Sequence, residues 1–158
     1  TMIGILYVVF FSYHVVLVDQ SPYPQMVWMI LLTAFITDIM AYFSGYLFGK
    51  HKLCPEISPK KTVSGAVGGT LGGIIGSVLV CVIFRPYTDA IFPILLFALI
   101  GFVGSILTVF GDLFESCIKR RVGIKDMGGI LPGHGGVSDR VDGLLFLAPF
   151  ILLVSLIL

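Results

Sequence analysis

Apolar residues run almost unbroken through five stretches, 2–18, 26–48, 63–84, 91–116 and 139–158, and short polar or turn-rich segments separate them. At 1.5 Å per residue, about 20 residues in a helix cross the roughly 30 Å of a bilayer's hydrocarbon. The last stretch reaches that length only if its helix starts near Asp139, which puts Asp139 and Asp142 at the membrane surface. The pattern therefore predicts an all-α fold, a polytopic transmembrane helical bundle of about five spans, forming a single domain over 1–158.

Composition supports this reading, since hydrophobic residues make up 57% of the chain and charged residues only 12%, far from the balance of a soluble domain. Thr1 opens directly into an apolar stretch with neither an initiator Met nor a basic leader. We therefore expect no cleavable signal peptide, and a start inside a longer protein whose N-terminal helices are missing. Cys54, Cys81 and Cys117 have neither CxxC nor Cys/His ligand spacing, so we expect reduced thiols that pack rather than disulfides or a zinc site.

A formal net charge of +1 supplies no overall field for nucleic acid, and the information lies in where the charges sit. Lys50, Lys52, Lys60 and Lys61 fall between the second and third spans, and Lys119, Arg120, Arg121, Lys125 and Arg140 between the fourth and fifth. Two crossings separate these loops, so both face one side. Only Arg85 of the ten Lys and Arg residues lies in an opposite loop, and the positive-inside bias assigns the basic side to the cytoplasm. That predicts a multi-pass membrane protein whose two basic loops face the cytoplasm. Glycines 65, 68, 69, 72, 73 and 76 give overlapping GxxxG spacings in the third span. They suit close approach of a helix of the same chain or of a second protomer, which leaves a homodimer through membrane helices open.

Acidic residues inside spans are costly, about 2.5 to 3.5 kcal/mol each at a helix centre on insertion scales, and so point to function. Asp38 and Asp112 are the two. Tyr42 and Gly45 share the face of Asp38 at i+4 and i+7, and a Tyr42–Asp38 hydrogen bond would be a purely structural account. Continuation of the fourth helix would bring Glu115, Ser116 and Lys119 onto the face of Asp112.

Between Ser116 and Asp142, basic residues, aspartates, His134 and several glycines interrupt an otherwise apolar chain. Gly133, Gly135 and Gly136 allow backbone N–H groups to approach an anion just ahead of a helix N-terminus. Asp139 and Asp142, spaced i, i+3, can address one hard cation or cap the helix. Joined by Asp112 and flanked by basic residues, they make a candidate Mg²⁺ site for phosphoryl or nucleotidyl transfer. The other basic loop presents Ser58, Pro59, Lys60, Lys61 and Thr62 as a compact turn suited to polyphosphate, while Lys50 and Lys52 suit anchoring to anionic lipid of the bilayer.

These residues closely resemble phosphatidate cytidylyltransferases, also called CDP-diacylglycerol synthases. The family signature is Ser-x-x-Lys-Arg, then after four residues Lys-Asp, then Pro-x-His-Gly-Gly and Asp-Arg-x-Asp. It is met by Ser116, Lys119, Arg120, Lys125, Asp126, Pro132, His134, Gly135, Gly136, Asp139, Arg140 and Asp142. The stretch with Asp38, Ala41, Tyr42, Gly45, Phe48, Gly49 and Lys50, and the turn at residues 58–62, resemble the same family. Val63 and Ser64 depart from it, standing where a Trp and an acidic or amide residue are common. Family members carry further N-terminal membrane helices.

The resemblance implies the reaction of CTP with phosphatidic acid to give CDP-diacylglycerol and pyrophosphate, with a divalent metal. The expected metal ligands are Asp112, Asp139 and Asp142 around Mg²⁺, with room for a second cation. Asp38 is a candidate for that second cation or for orienting Lys119. Lys119 joins the acids in the chemistry. Ser58, Lys60, Lys61, Thr62, Ser116, Arg120, Lys125, Asp126, His134, Gly135, Gly136 and Arg140 are the expected substrate contacts. A CTP-dependent lipid-alcohol kinase would need a base near the hydroxyl, and a cation transporter fits two basic loops on one face poorly.

Overall fold

The computed structural model describes residues 2–84, 91–124 and 142–157. Five helices appear in this order: α1 (Met2–Asp19), α2 (Met26–Phe48), α3 (Val63–Phe84), α4 (Ile91–Val122) and α5 (Asp142–Ile157). Among the described residues, α2, α3 and α4 are long and apolar enough to cross a bilayer, while the apolar stretches Val8–Asp19 and Asp142–Ile157 are shorter. The 16 residues of α5 reach about 24 Å, and the expected start near Asp139 lies outside the described residues. Val9, Phe43, Leu71, Leu95 and Leu153 point outward and are exposed, where a soluble protein would carry charge. This is the surface of an integral membrane protein.

Glycine in α3 replaces side-chain contact with backbone contact. A Cβ at Gly69 would stand 3.1 Å from the Thr37 carbonyl oxygen, and one at Gly76 2.9 Å from that of Leu32, so α2 lies directly on this stripe. The neighbouring stripe faces α4, where a Cβ at Gly73 would stand 3.1 Å from the Gly101 carbonyl oxygen. Ser77 Oγ donates to the Phe97 carbonyl at 2.7 Å across the same interface. The GxxxG spacings thus serve packing within the chain. Helix α5 closes on α1, α2 and α4, and Met29, Ile30, Val80, Phe97, Leu147 and Ile151 form the enclosed core.

With 32 residues, α4 is about 48 Å long and exceeds the hydrocarbon by some 18 Å. Its end carries Lys119, Arg120 and Arg121 beside the negative pole of the helix. Gly123, at φ 75°, then stops it. Its N–H donates to the Arg120 carbonyl at 3.2 Å and that of Ile124 to the Lys119 carbonyl at 3.0 Å, a Schellman closure that needs a residue at ease with positive φ.

The segment between α2 and α3 is more ordered than the compact turn expected of it. Strands β1 (Lys52–Cys54) and β2 (Ser58–Thr62) form an antiparallel hairpin, with Lys52 opposite Thr62, Cys54 opposite Ser58 and a bulge between. Backbone groups at the edge of a bilayer are best satisfied by one another. Pro59 is tolerated because a two-stranded hairpin leaves each strand an open edge. At its base the Val63 N–H donates to the His51 carbonyl at 3.0 Å, and the Gly65 N–H donates to Thr62 Oγ1 at 3.1 Å. Thr62 is therefore the N-cap of α3.

The candidate active site

One face of α2 presents Asp38, Ala41, Tyr42, Gly45, Tyr46 and Gly49, at i, i+3, i+4, i+7, i+8 and i+11. Together with Lys52, Leu53, Lys60, Lys61 and Thr62 of the hairpin, Gly65 and Ala66 of α3, Val109 and Asp112 of α4, and Asp142 of α5, it encloses a cavity of about 530 Å³. That volume suits a ligand of nucleotide size. The small residues make the room. A Cβ at Gly45 would stand 2.9 Å from Thr62 Oγ1 and one at Gly65 2.9 Å from the Ala41 carbonyl oxygen, so the hairpin base and two helices meet without side chains to fill the space.

Three carboxylates from three helices face this cavity. Asp38 comes from within α2, Asp112 from the C-terminal third of α4, and Asp142 from the first residue of α5. Lys61 of β2 forms an ion pair with Asp112. Asp142 is buried, and its Oδ1 accepts the Gly143 N–H at 2.8 Å, which fixes the carboxylate at the helix start. The three carboxylates stand with three lysines, Lys52, Lys60 and Lys61, of which Lys61 pairs with Asp112, and hard carboxylate oxygens are the donor chemistry that Mg²⁺ requires. Among the described residues no three His, Cys, Asp or Glu side chains already close around a single point. Asp139 lies outside the described residues.

Of the residues expected from sequence, Asp38, Lys60, Lys61, Thr62, Asp112 and Asp142 come together around the cavity. Ser58, Ser116, Lys119 and Arg120 do not line it. Arg120 Nε instead donates to the Ile57 carbonyl at 3.3 Å, tying the hairpin tip to α4. The shared face of Asp112 and Lys119 does not pair them, because Lys119 Nζ lies 3.5 Å from Glu115 Oε1 while Asp112 turns to Lys61. Lys125, Asp126, His134, Gly135, Gly136, Asp139 and Arg140 lie outside the described residues.

Tyr42 does not hydrogen-bond to Asp38. Its ring stacks on Tyr46, with centroids 6.4 Å apart and planes 12° apart, and the two are 69% and 78% exposed at the cavity's outer wall. These tyrosines, Lys52 and the buried Glu115 were not among the expected site residues. The helical spacing of Tyr42 and Tyr46 from Asp38 was the signal that could have found the tyrosines.

The whole chain, residues 1–158, matches the profile of the cytidylyltransferase family. The chain belongs to that family. It is similar to phosphatidate cytidylyltransferases of several bacteria. With that of Thermotoga maritima it is 36% identical over 157 residues, 99% of this chain and 58% of the relative. With that of Staphylococcus epidermidis it is 42% identical over 120 residues, covering 76% and 45%. With that of Bacillus subtilis it is 43% identical over 115 residues, covering 73% and 41%. The chain thus spans about half the length of these relatives. The cytidylyltransferase family resemblance drawn from the signature residues and the family assignment of the whole chain agree.

Proposed function

We propose that this chain carries the site for transfer of a cytidylyl group from CTP to phosphatidic acid, giving CDP-diacylglycerol and pyrophosphate at the cytoplasmic face of a bacterial inner membrane. The observation that carries the reading is one cavity, at the end of membrane-crossing helices, that holds three carboxylates and the lysines of a hairpin. Soluble polyphosphate and membrane lipid can both reach such a place. Nine of the ten basic residues lie in the two loops assigned to one side, which supports the cytoplasmic orientation.

The phosphatidate phosphate is already an oxyanion. One of its oxygens attacks the α-phosphorus of CTP in line, the new P–O bond forms as the bond to the β-phosphate bridging oxygen breaks, and pyrophosphate leaves with the electron pair. No general base is needed, so the protein's work is alignment and charge neutralisation. Lys60 and Lys61 face the nucleotide phosphates from the hairpin, Lys125 adds positive charge, and Lys119 and Arg120, off the cavity lining, add theirs from the end of α4. Thr62, His134 and the backbone at Gly135 and Gly136 donate hydrogen bonds, with Asp126 and Arg140 completing the substrate contacts, while Ser58 and Ser116 stand off the cavity lining. Asp112 and Asp142, with Asp139, are the residues that would hold Mg²⁺, and Asp38 would take a second cation. Bound there, the metal lowers repulsion between the two anionic substrates and steadies the leaving group. The exposed wall of Tyr42 and Tyr46 borders the side from which a lipid headgroup enters.

Incubating the complete, purified protein with phosphatidic acid, Mg²⁺ and each nucleoside triphosphate in turn tests this. CDP-diacylglycerol and pyrophosphate formed with CTP are the expected products. Phosphorylation of a lipid alcohol with release of CDP, or ion flux into liposomes without CTP, would replace the reading by a kinase or a transporter.

A further inference from the structure

One buried ionisable group takes no part in the transfer just described. Glu115 is 0% exposed and belongs to the largest fully enclosed side chains among the described residues, one turn beyond Asp112 on α4. It does not line the cavity. A carboxylate withdrawn from water this completely is expensive unless it is paired and placed for a reason.

One charged neighbour and one helix contact define its place. Lys119, one turn on, puts Nζ 3.5 Å from Glu115 Oε1, with its side chain only 13% exposed. Toward α5, Glu115 stands one helical turn beyond Gly111 on the same face of α4. The two helices are in backbone contact there, since a Cβ at Gly111 would stand 2.7 Å from the Asp142 carbonyl oxygen. Phe114 packs edge-on against Phe146, with ring centroids 5.3 Å apart, and Phe146 stacks on Phe11 at 5.1 Å. Glu115 is therefore enclosed beside a tightly packed α4–α5 seam, paired with a lysine of the signature and one helical turn from the backbone contact with Asp142.

We propose that Glu115 is a positioning residue: its buried carboxylate holds the Lys119 ammonium beside the start of α5 and so sets the spacing of Lys119 and Asp142 next to the cavity. A glutamine would fill the same space and still accept a hydrogen bond, but it would not hold an ammonium by charge. The kinetic consequence rests on the transfer reading above, whereas the placement does not.

The test uses the complete protein in lipid nanodiscs as wild type, Glu115→Gln, Lys119→Gln and the double variant, with two readouts. In the first, mass spectrometry follows the rate at which an amine reagent modifies Lys119, and a thiol reagent on the buried Cys81 reports whether the fold is intact. A nearby carboxylate favours the unreactive ammonium form, so Glu115→Gln is expected to speed Lys119 labelling at least about fivefold with Cys81 still protected. In the second, kcat/KM for CTP falls about tenfold in Glu115→Gln, and the double variant is no slower than Lys119→Gln alone, because residues that act through one another are not additive. Unchanged labelling with Cys81 protected, or losses that add in the double variant, would overturn the proposal. Should Glu115→Gln expose Cys81, the labelling comparison passes to Glu115→Asp, which keeps the charge but withdraws it by one methylene; wild-type labelling there would also overturn it. A wild-type protein that makes no CDP-lipid from CTP sinks the transfer reading, and the labelling still decides the placement.

Discussion

Adding a single methyl group at Gly65 tests the close approach on which the cavity depends. In Gly65→Ala the new Cβ would stand 2.9 Å from the Ala41 carbonyl oxygen, 2.9 Å from Thr62 Oγ1 and 3.6 Å from the Gly45 Cα. The first neighbour is backbone and the second is the cap of α3, so neither yields by rotating a flexible tip. Helices α2 and α3 must part by about half an ångström, and overpacking of this kind costs about 1 to 3 kcal/mol. The better helix propensity of alanine returns up to about 1 kcal/mol, which leaves a net loss near 1 to 2 kcal/mol and a Tm lower by about 2 to 8 °C. Gly104→Ala is the control. Its Cβ would meet Leu147 Cδ1 at 2.8 Å and Thr33 Cγ2 at 3.7 Å, and the leucine tip can rotate away, so Tm should shift little. Thermal unfolding in detergent can be followed by the fluorescence of Trp28, which stacks on Phe84 across the α2–α3 interface with centroids 6.3 Å apart. CTP turnover should fall in Gly65→Ala because Gly65 also lines the cavity. A Gly104→Ala protein destabilised as much as Gly65→Ala, or a Gly65→Ala protein with unchanged Tm and turnover, would refute the backbone-contact reasoning.

Lys61 and Lys60 should separate, because Lys61 pairs with Asp112 whereas Lys60 is exposed. Lys61→Met is expected to lower kcat/KM for CTP by about tenfold more than Lys60→Met, and equal losses would return both lysines to a common role. Asp139→Asn and Asp142→Asn should each cut turnover at limiting Mg²⁺ by at least about a hundredfold, on the order of 2.7 kcal/mol, with partial recovery in excess Mg²⁺. Thermal stability should change little, because Asn keeps the shape and much of the capping ability of Asp; near wild-type turnover in both would leave the carboxylates as caps. Single cysteines near Lys60 and Met127 should react with impermeant reagent from the cytoplasmic side only, and one near Thr88 from the other, and labelling of Met127 and Thr88 from one side would refute the orientation.

The membrane class and the bounds of α2 and α3 were legible because they depend on local quantities. An apolar run either is or is not long enough to span hydrocarbon, and α2 and α3 start and stop where their runs do. The fourth helix runs past the expected end near Ser116 to Val122, because an apolar run sets the length of a span and not that of the helix, and Gly123 at positive φ stops it. The acids could be named from sequence because burying a carboxylate in a bilayer is costly wherever the chain goes afterward. The hairpin was not legible, since residues 50–62 carry no alternating apolar pattern, and their strands exist because the chain must satisfy its backbone where it turns at the bilayer's edge.

Sequence alone thus determined that this is a membrane protein of the cytidylyltransferase family with acidic and basic groups gathered at the ends of its spans. Which of those groups meet was decided only by tertiary structure. Helical spacing puts Asp112, Glu115 and Lys119 on one face, but it cannot say that Asp112 turns to Lys61 of the hairpin while Lys119 turns back to Glu115. Nor does GxxxG spacing choose its partner; α2 and α4 occupy the two glycine stripes of α3 because the chain brings them there. A charge pair depends on distance and desolvation between segments far apart in sequence, and both are set by how the helices pack.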